Sequence, residues 1–284
     1  MNCLFVSDLH GRLEKYHALF RLVQQETPDA VLFGGDLLPL HVPQNMPMEQ
    51  FIKDTLFSPI KNIKKITRST TRFFIILGND DPRIYEHLFI AAETKGILSY
   101  IHGKTIPWKH RYITGYAYVP PTPFLLKDWE RYDISRFVDV GAVSPEKGRR
   151  TLPISPDETR YTTIADDLET LAKNAPVENT IFLFHSPPYD SALDTIDSAG
   201  KMVDHAPIDT HIGSIAIQRF IAEKQPFVTL HGHAHESTRL TGQWMQRFGK
   251  TYSFSAAHDG PELAVVRFDT DALHGATRDL IAVS

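Results

Sequence analysis

The sequence contains one cysteine, Cys3, among 284 residues, so an intramolecular disulfide is excluded and nothing demands an oxidising compartment. No apolar run is long enough to cross a bilayer, and no charged leader with an apolar stretch resembles a signal peptide. Basic charge is not in excess, because the formal net charge is -4 and the isoelectric point is near 6.4. This balance argues against binding of long nucleic acid. We therefore expect a cytoplasmic protein that does not bind a membrane.

Short apolar runs alternate with helical patterns in the first third of the chain. Segments 2–6, 30–33 and 73–77 read as buried strands, and a helix is predicted to end near Gln25. Pro59 is predicted to interrupt a further helix. The order strand, loop, helix, strand is typical of an α/β layer. Later segments predict helices at 161–175 and 214–223, strands at 180–184 and 227–230, and antiparallel strands from residue 238.

Residues from about 119 to 160 lack a sustained hydrophobic period and are rich in proline, charge and aromatic side chains. A long stretch of this kind inside a compact chain is usually functional or an ordered excursion. We predict a single domain over residues 1–284, with this excursion acting as a lid. Five apolar side chains are predicted to anchor it, namely Phe124, Trp129, Tyr132, Phe137 and Val138.

Polar side chains that suit metal ions follow several of the predicted strands, mostly next to glycines. Asp8 and His10 are two residues apart, so an extended backbone would point both to the same side. Carboxylate, imidazole and amide oxygen together suit hard to borderline divalent cations. Each motif alone is weak, but their joint order at successive strand ends predicts a two-metal hydrolase. The candidate ligands are Asp8, His10, Asp36, Asn79, His185, His233 and His235.

The motifs Asp8-Leu9-His10, Gly34-Gly35-Asp36, Gly78-Asn79, His185 and Gly232-His233-Ala234-His235 resemble those of the calcineurin-like metallophosphoesterases. The resemblance implies an α/β fold with two mixed β-sheets in a four-layer sandwich flanked by helices, and a dinuclear site at one end.

The same resemblance implies how the ligands divide. One metal would be held by Asp8, His10 and His235, the other by Asn79, His185 and His233, with Asp36 bridging the two. Phosphoester hydrolysis would then use a metal-bound hydroxide as nucleophile. The two divalent ions could be manganese, iron, zinc, nickel or cobalt, with availability deciding.

Asp80 stands where many family members have the histidine of a Gly-Asn-His motif. Beside two cations a carboxylate is driven toward its charged form, which disfavours a general-acid role. It would also repel a phosphomonoester dianion more than a diester monoanion, so we expect a phosphodiesterase acting on a small phosphoester or nucleotide-like substrate. The equally open alternative is that Asp80 only caps the helix predicted after Pro82.

Other polar residues are weaker candidates for substrate binding. Arg12 could clamp a phosphate, and His211 precedes a helix start whose backbone N–H groups could receive one; Asn79 could contact the substrate as well as a metal. His231 is expected to end a strand in a hydrogen bond. An acidic segment, which would repel long polyanions or form a solvated loop, holds Asp190, Asp194, Asp197 and Asp204.

Two other functions remain open. The fold could serve as a catalytically weak scaffold or interaction module, although all seven candidate ligands are retained and only Asp80 departs from the pattern. A nuclease would need a basic groove, and the basic residues between 61 and 72 instead alternate with isoleucines at the spacing of a solvated helix face.

Overall fold

Two six-stranded sheets share one hydrophobic core, and helices flank them. The structure is a computed structural model, and it describes residues 1–40, 46–66, 70–197, 200, 202–203, 205–207 and 209–283. Asp204 of the acidic segment and residues 67–69 of the basic segment lie outside this range. In the described part of the chain, no helix combines the length and apolarity that a membrane span requires.

The strands and helices are numbered in chain order. The strands are β1 (Asn2–Val6), β2 (Ala30–Gly34), β3 (Arg72–Ile76), β4 (Ser99–Tyr100), β5 (Thr105–Trp108), β6 (Arg111–Tyr116), β7 (Thr180–Phe184), β8 (Met202–Val203), β9 (Ala206–Pro207), β10 (Val228–His231), β11 (Met245–Phe248), β12 (Thr251–Ser255), β13 (Leu263–Asp269) and β14 (Thr277–Ile281). The α-helices are α1 (Leu13–Glu26), α2 (Met48–Phe51), α3 (Ser58–Ile66), α4 (Glu86–Thr94), α5 (Pro156–Tyr161), α6 (Ile164–Leu171), α7 (Ile215–Lys224) and α8 (Ser237–Thr241).

Both large sheets are mixed. The first has the order β14-β13-β1-β2-β3-β4, with β1 to β4 parallel and the other two antiparallel. The second has the order β11-β12-β10-β7-β6-β5, in which β12, β10, β7 and β6 run parallel between antiparallel edges. The short strands β8 and β9 form a separate hairpin. This architecture confirms the predicted α/β sandwich of two mixed sheets.

Parallel strands that are covered on both faces need apolar side chains on both faces, so continuous apolar runs in the sequence favour such strands. All five residues of β2 and all five of β7 are buried. Helix α7 begins where predicted, since the Ser214 hydroxyl accepts a hydrogen bond from the Ile217 amide at 3.0 Å. The basic segment begins in α3, which matches the predicted helix face up to the end of that helix at Ile66, whereas Arg72 at its other end belongs to β3, so that part of the prediction is wrong.

Three details of the prediction are wrong. Pro59 does not interrupt its helix, because a π-helix over Ile52–Phe57 precedes it and the Ser58 amide reaches back five residues to the Lys53 carbonyl. The helix predicted over 161–175 is broken, since the Thr163 hydroxyl accepts the Asp166 amide at 3.1 Å and starts α6 anew. The tail is not purely antiparallel, because β12 pairs in parallel with β10.

The excursion at 119–160 is ordered by backbone pairing with itself. The Val119 amide donates to the Trp129 carbonyl at 2.9 Å, and the Lys127 amide donates to the Arg149 carbonyl at 2.8 Å. Trp129 and Tyr132 are buried as predicted, whereas Phe124 and Phe137 are 61% and 71% exposed, so their predicted anchoring role is wrong.

Candidate metal centre

The candidate ligands lie in the loops that follow five parallel strands of the two sheets. Asp8 comes two residues after β1, Asp36 two after β2 and Asn79 three after β3, while His185 directly follows β7 and His233 comes two after β10. Parallel strands place their carboxyl ends at one edge, where sites of α/β proteins form. The loops also pair with each other, since the Asp8 amide donates to the Gly35 carbonyl at 3.0 Å and the His10 amide to the Asp36 carbonyl at 2.9 Å.

Four of these side chains project from a left-handed backbone. The φ angles are 58° at Asp8, 44° at His10, 52° at Asp36 and 69° at His233. Residues other than glycine adopt such angles at a cost, and these conformations cluster at functional sites. The sharp turn at each strand end therefore orients the side chain as well as reversing the direction of the chain.

The ligand atoms converge in two groups that share Asp36. Within each group the atoms all lie within 4.8 Å of one another. Apart from Asn79, these groups have the members that the family resemblance implies, and the assignment of one metal to each group stays a prediction. The first group is Asp8, His10, Asp36 and His235, and the second is Asp36, His185 and His233.

In the first group, two imidazoles face each other. The Nε2 atoms of His10 and His235 are 3.1 Å apart, and the Asp8 Oδ1 atom lies 3.2 Å from the same His235 nitrogen. The His10 Nδ1 atom is buried and has no hydrogen-bond partner among the described residues. Two ring nitrogens this close need a shared proton or a cation between them, so the donor set fits a divalent ion.

In the second group, the tautomer of His185 is set by its surroundings. Its Nδ1 atom donates to the Gly34 carbonyl at 2.7 Å, because a carbonyl only accepts. The Nε2 atom is therefore the one directed at the site, 3.3 Å from Asp36 Oδ2 and 3.0 Å from Asn79 Oδ1. A ligand histidine that donates its other N–H to a carbonyl is the usual arrangement around bound metals.

The buried charges shift the pKa values of the ligands. Burial alone would raise the pKa of Asp8, but the His235 imidazole lowers it to about 2. Burial opposes the positive charge of His185, but Asp36 raises its pKa to about 10. Burial and the nearby His185 lower the pKa of His233 to about 3. Protons on imidazoles thus balance the buried carboxylates, and cations in the site would take over that role.

Gly78 makes room for the shared carboxylate. A Cβ atom built at this position would lie 2.3 Å from Asp36 Oδ1 and 2.7 Å from the His185 ring. Any side chain at residue 78 would therefore displace both groups, which gives the glycine of the Gly-Asn motif a physical reason.

Asp80 faces the site and does not cap a helix. Its amide donates to Asp36 Oδ1 at 2.9 Å, and its Oδ2 atom lies 3.8 Å from His10 Nδ1. The amides of Arg83 and Ile84, which start the helical turn after Pro82, donate to the side chains of Asp128 and Thr151 at 2.8 and 2.9 Å, so the alternative prediction that Asp80 caps this turn is wrong. Burial and the charge of Asp36 raise the pKa of Asp80 to about 7. Cations would oppose this shift, so a charged Asp80 stays a prediction for the loaded site.

The neighbouring Asp81 has a structural role that the sequence did not reveal. Its fully buried carboxylate accepts hydrogen bonds from the amides of Gly78, Leu37 and Leu38, at 2.9, 2.9 and 2.7 Å. It thereby joins the loop after β2 to the loop after β3, the two loops that carry Asp36 and Asn79.

The weaker candidates for the site have different outcomes in the structure. His231 is buried between the Ser186 carbonyl and the Thr229 hydroxyl, at 2.9 and 2.8 Å, as expected. Arg12 is exposed and is not part of the cavity wall described below, and its guanidinium donates to the Gly260 carbonyl at 3.4 Å, so its role in phosphate binding stays a prediction. The phosphate site predicted at the start of α7 is wrong, since Asp133 already accepts from the Ile215 amide at 2.7 Å.

The metal ligands open onto a cavity of about 370 Å³. His211, a candidate for substrate binding, lines this cavity, and so do residues of the excursion that was predicted to act as a lid. Besides Asp36, Asn79, Asp80, His233 and His235, its wall contains Pro120, Pro121, Thr122, Pro123, Phe124, Asp139, Val140, Ala142, Ile196, Asp197, Asp209, His211, Ile212, Gly213 and Glu236.

Known proteins share this architecture. The TT1561 protein of Thermus thermophilus is 17% identical, with 99% of each chain covered and a TM-score of 0.58. A dimetal phosphatase from Danio rerio is 10% identical over 94% of this chain and 92% of its own, with a TM-score of 0.53. At these identities the likeness concerns the fold alone. A comparison with curated protein sequences gives no match.

A family model provides the stronger link, since residues 1–237 match the model described as calcineurin-like phosphoesterase. That range contains every candidate ligand, and the family depends on a dinuclear metal centre. The chain belongs to the calcineurin-like phosphoesterase family.

Proposed function

We propose that this protein hydrolyses small phosphodiesters, including nucleotide-like ones, at a dinuclear metal centre. The observation that carries the proposal is the pair of ligand groups that share Asp36 and open onto a cavity of about 370 Å³. A cavity of this size lies within the range of about 300–1,000 Å³ that small-molecule sites occupy. A cytoplasmic location belongs to the same proposal and is tested by cell fractionation.

The proposal includes a position for each of two cations. Asp8, His10 and His235 would hold one ion and Asn79, His185 and His233 the other, with Asp36 common to both. When bound, such ions acidify a water and stabilise the charge that develops on a phosphoryl group. Manganese, iron, zinc, nickel and cobalt all suit this donor set, and cellular availability would decide among them.

The charges around the cavity favour a diester. Asp80 faces the metal ligands, and Asp139, Asp209 and Glu236 add carboxylates to the wall. A phosphomonoester dianion would meet more repulsion there than a diester monoanion, because repulsion scales with the charge on the ligand. The same wall disfavours long polyanions.

The excursion at 119–160 is proposed to act as the wall that selects the substrate. Phe124 is 61% exposed and lines the cavity beside three prolines. Removing this ring should raise KM for an aromatic diester and leave metal content unchanged, because Phe124 is not one of the candidate ligands. A Phe124→Ala variant tests this with Phe137→Ala as the matched control, since Phe137 is also well exposed but does not line the cavity.

The decisive experiment measures metal content and hydrolysis of bis(p-nitrophenyl) phosphate and p-nitrophenyl phosphate. It compares the wild type with Asp36→Ala and with the control Asp54→Ala, an exposed carboxylate that bonds only to Gln50 among the described residues. We expect about two metals per chain, a preference for the diester, and loss of turnover only in Asp36→Ala. Stoichiometric metal without turnover of any phosphoester would instead favour a scaffold, and a monoester preference would refute the diesterase proposal.

A further inference from the structure

The cavity wall contains one basic side chain that is not a candidate ligand. Among its described residues there is no lysine or arginine, and His211 is the only histidine besides His233 and His235. Phosphoester cleavage leaves negative charge on the departing oxygen, and a positioned acid that protonates it contributes typically about 10²–10⁴-fold to the rate. In this chain Asp80 replaces the histidine that many family members have beside the metals. His211 is therefore the one described residue of the wall that combines a basic ring with a place outside the ligand groups.

The ring of His211 is held by a buried carboxylate. Its Nδ1 atom donates to Asp194 Oδ1 at 2.8 Å, and the side chain of Asp194 is fully buried. Asp194 is itself fixed, because it accepts hydrogen bonds from the amides of Asp190, Ser191 and Gly213 at 3.0, 3.0 and 3.2 Å. A buried carboxylate that orients an imidazole is the arrangement that acid–base catalysis requires.

The backbone supports the same pair. Residues 194–196 run antiparallel to residues 210–212, with an isolated bridge between Thr195 and His211. The Ile196 amide donates to the Thr210 carbonyl at 2.8 Å, and the Ile212 amide donates to the Asp194 carbonyl at 3.1 Å. The position of His211 therefore depends on paired backbone rather than on a free loop.

The second ring nitrogen remains for the substrate. Since Nδ1 donates to Asp194, the proton that can be transferred is on Nε2. The nearest charged neighbour of Nε2 is Asp190 Oδ1 at 3.7 Å, and the ring also faces Tyr189, whose hydroxyl donates to Asp209. Burial would lower the pKa of His211, but Asp194, Asp209 and Asp190 raise it above 6.5. The neighbouring carboxylates thus favour the protonated form of the ring.

We propose that His211, oriented by Asp194, protonates the leaving group of the substrate. This inference rests on the hydrolysis proposed above. A water oxygen forms the new bond to phosphorus and the water releases one proton to solvent. The bond from phosphorus to the leaving oxygen breaks, its electron pair stays on that oxygen, and the Nε2 proton of His211 neutralises it. The neutral imidazole then regains a proton from solvent.

The test compares two methyl aryl phosphates that differ only in the leaving group. Nitrophenolate departs without help, whereas phenolate gains from protonation. We expect His211→Asn to lower kcat/KM about 100-fold for methyl phenyl phosphate and less than about 10-fold for methyl p-nitrophenyl phosphate. The matched control is His258→Asn, which removes another histidine paired with a carboxylate, at 3.0 Å from Glu262, outside the cavity wall. It should leave both rates unchanged, and metal content should equal that of the wild type in both variants.

The pH profile gives a second readout. In the wild type, kcat/KM for the phenyl ester should fall as pH rises through the pKa of His211, because only the protonated ring can donate. This fall should be missing in His211→Asn and should move to lower pH in Asp194→Asn, where the anionic partner is lost. Titration of the His211 ring by NMR in the wild type without added metal measures the same pKa directly.

The outcomes separate the two proposals. A wild type that hydrolyses neither ester would refute the proposed function and this inference with it. Equal losses on both esters in His211→Asn, or an unchanged fall at high pH, would refute only the role of His211. A His211 pKa at or below 6.5 in the wild type would also refute it, even if the variants fail to fold.

Discussion

A fully buried ion pair lies inside the excursion, and breaking that pair gives the sharpest test of the structure. Lys127 Nζ lies 2.5 Å from Glu130 Oε2, and both side chains are 0% exposed. The same ammonium donates to the Thr122 carbonyl at 2.8 Å, while Glu130 accepts from the Thr122 amide at 2.8 Å. Thr122 belongs to the cavity wall, so the pair should affect both stability and substrate binding.

Replacing Lys127 by methionine keeps the apolar stem and removes the charge. Glu130 is then buried without a cation, and losing one partner of a buried pair costs about 3–5 kcal/mol. At about 2–3 °C per kcal/mol for a chain of this size, Tm should fall by about 6–15 °C. The double variant Lys127→Met with Glu130→Gln removes the unpaired charge as well and should recover at least half of the loss.

The loss should also depend on pH. Burial raises the pKa of Glu130 to about 7, although Lys127 opposes the shift. A pKa raised above the unfolded value of 4.5 means that stability is present below pH 4.5 and is lost as pH rises through about 7. Without Lys127 the pKa of Glu130 rises further, so the defect of Lys127→Met should grow as pH rises through and above about 7.

Thermal unfolding followed by circular dichroism measures these effects, with KM for bis(p-nitrophenyl) phosphate as the functional readout. Lys104→Met is the control, because Lys104 forms a 2.6 Å pair with Glu93 at the surface and exposed pairs are worth about 0–1 kcal/mol. A Lys127→Met variant within about 1 kcal/mol of the wild type at pH 8 would refute the reasoning, since a buried pair should cost more. So would a double variant no more stable than the single one.

Three further predictions concern the site and the core. In Gly78→Ala the fractional loss of bound metal should be at least as large as the fractional loss of turnover, because the new methyl group overlaps the carboxylate of Asp36. Full metal occupancy by elemental analysis would contradict this. Asp80→His should raise turnover of p-nitrophenyl phosphate relative to the diester, since it removes negative charge near the metals; an unchanged ratio would count against the proposed repulsion. Burial lowers the pKa of His102 to about 3, so its neutral form contributes stability above pH 6.5 that is lost as pH falls toward 3. His102→Gln should flatten that decline in thermal unfolding curves, and a parallel decline would exclude this residue as its source.

The sheets could be predicted because their strands are locally encoded. A run such as Ala30–Phe33 is apolar at every position, which fits a strand covered on both faces. Helix boundaries were less predictable where the backbone hydrogen bonds change type. Pro59 normally breaks a helix, yet the π-helix before it shifts the bonding by one residue and lets the helix continue. The pairing of β12 with β10 joins segments far apart in the chain, and no local pattern predicts such a partner.

The residues of the site, like the strands and helices, could be predicted only in part. His231 ends β10 and has the same spacing from His233 as His233 has from His235, yet the two ring nitrogens of His231 bond to the Ser186 carbonyl and the Thr229 hydroxyl. The two adjacent carboxylates Asp80 and Asp81 likewise divide, one facing the ligands and the other binding three amides. Which of two residues close in sequence faces the site depends on the backbone conformation of the loop and on the groups that pack against it.

The family, the apolar strands and the kinds of donor that follow them could be predicted from the residues alone, because each motif consists of residues close together in the chain. The three-dimensional structure was needed to find that Asp36 is shared by two ligand groups, that Asp133 fills the start of α7, and that Asp194 orients His211 at the cavity. Those relations join residues from different sheets and loops. The distances between these residues follow from strand order and packing, which bring together atoms of residues that are far apart in the sequence.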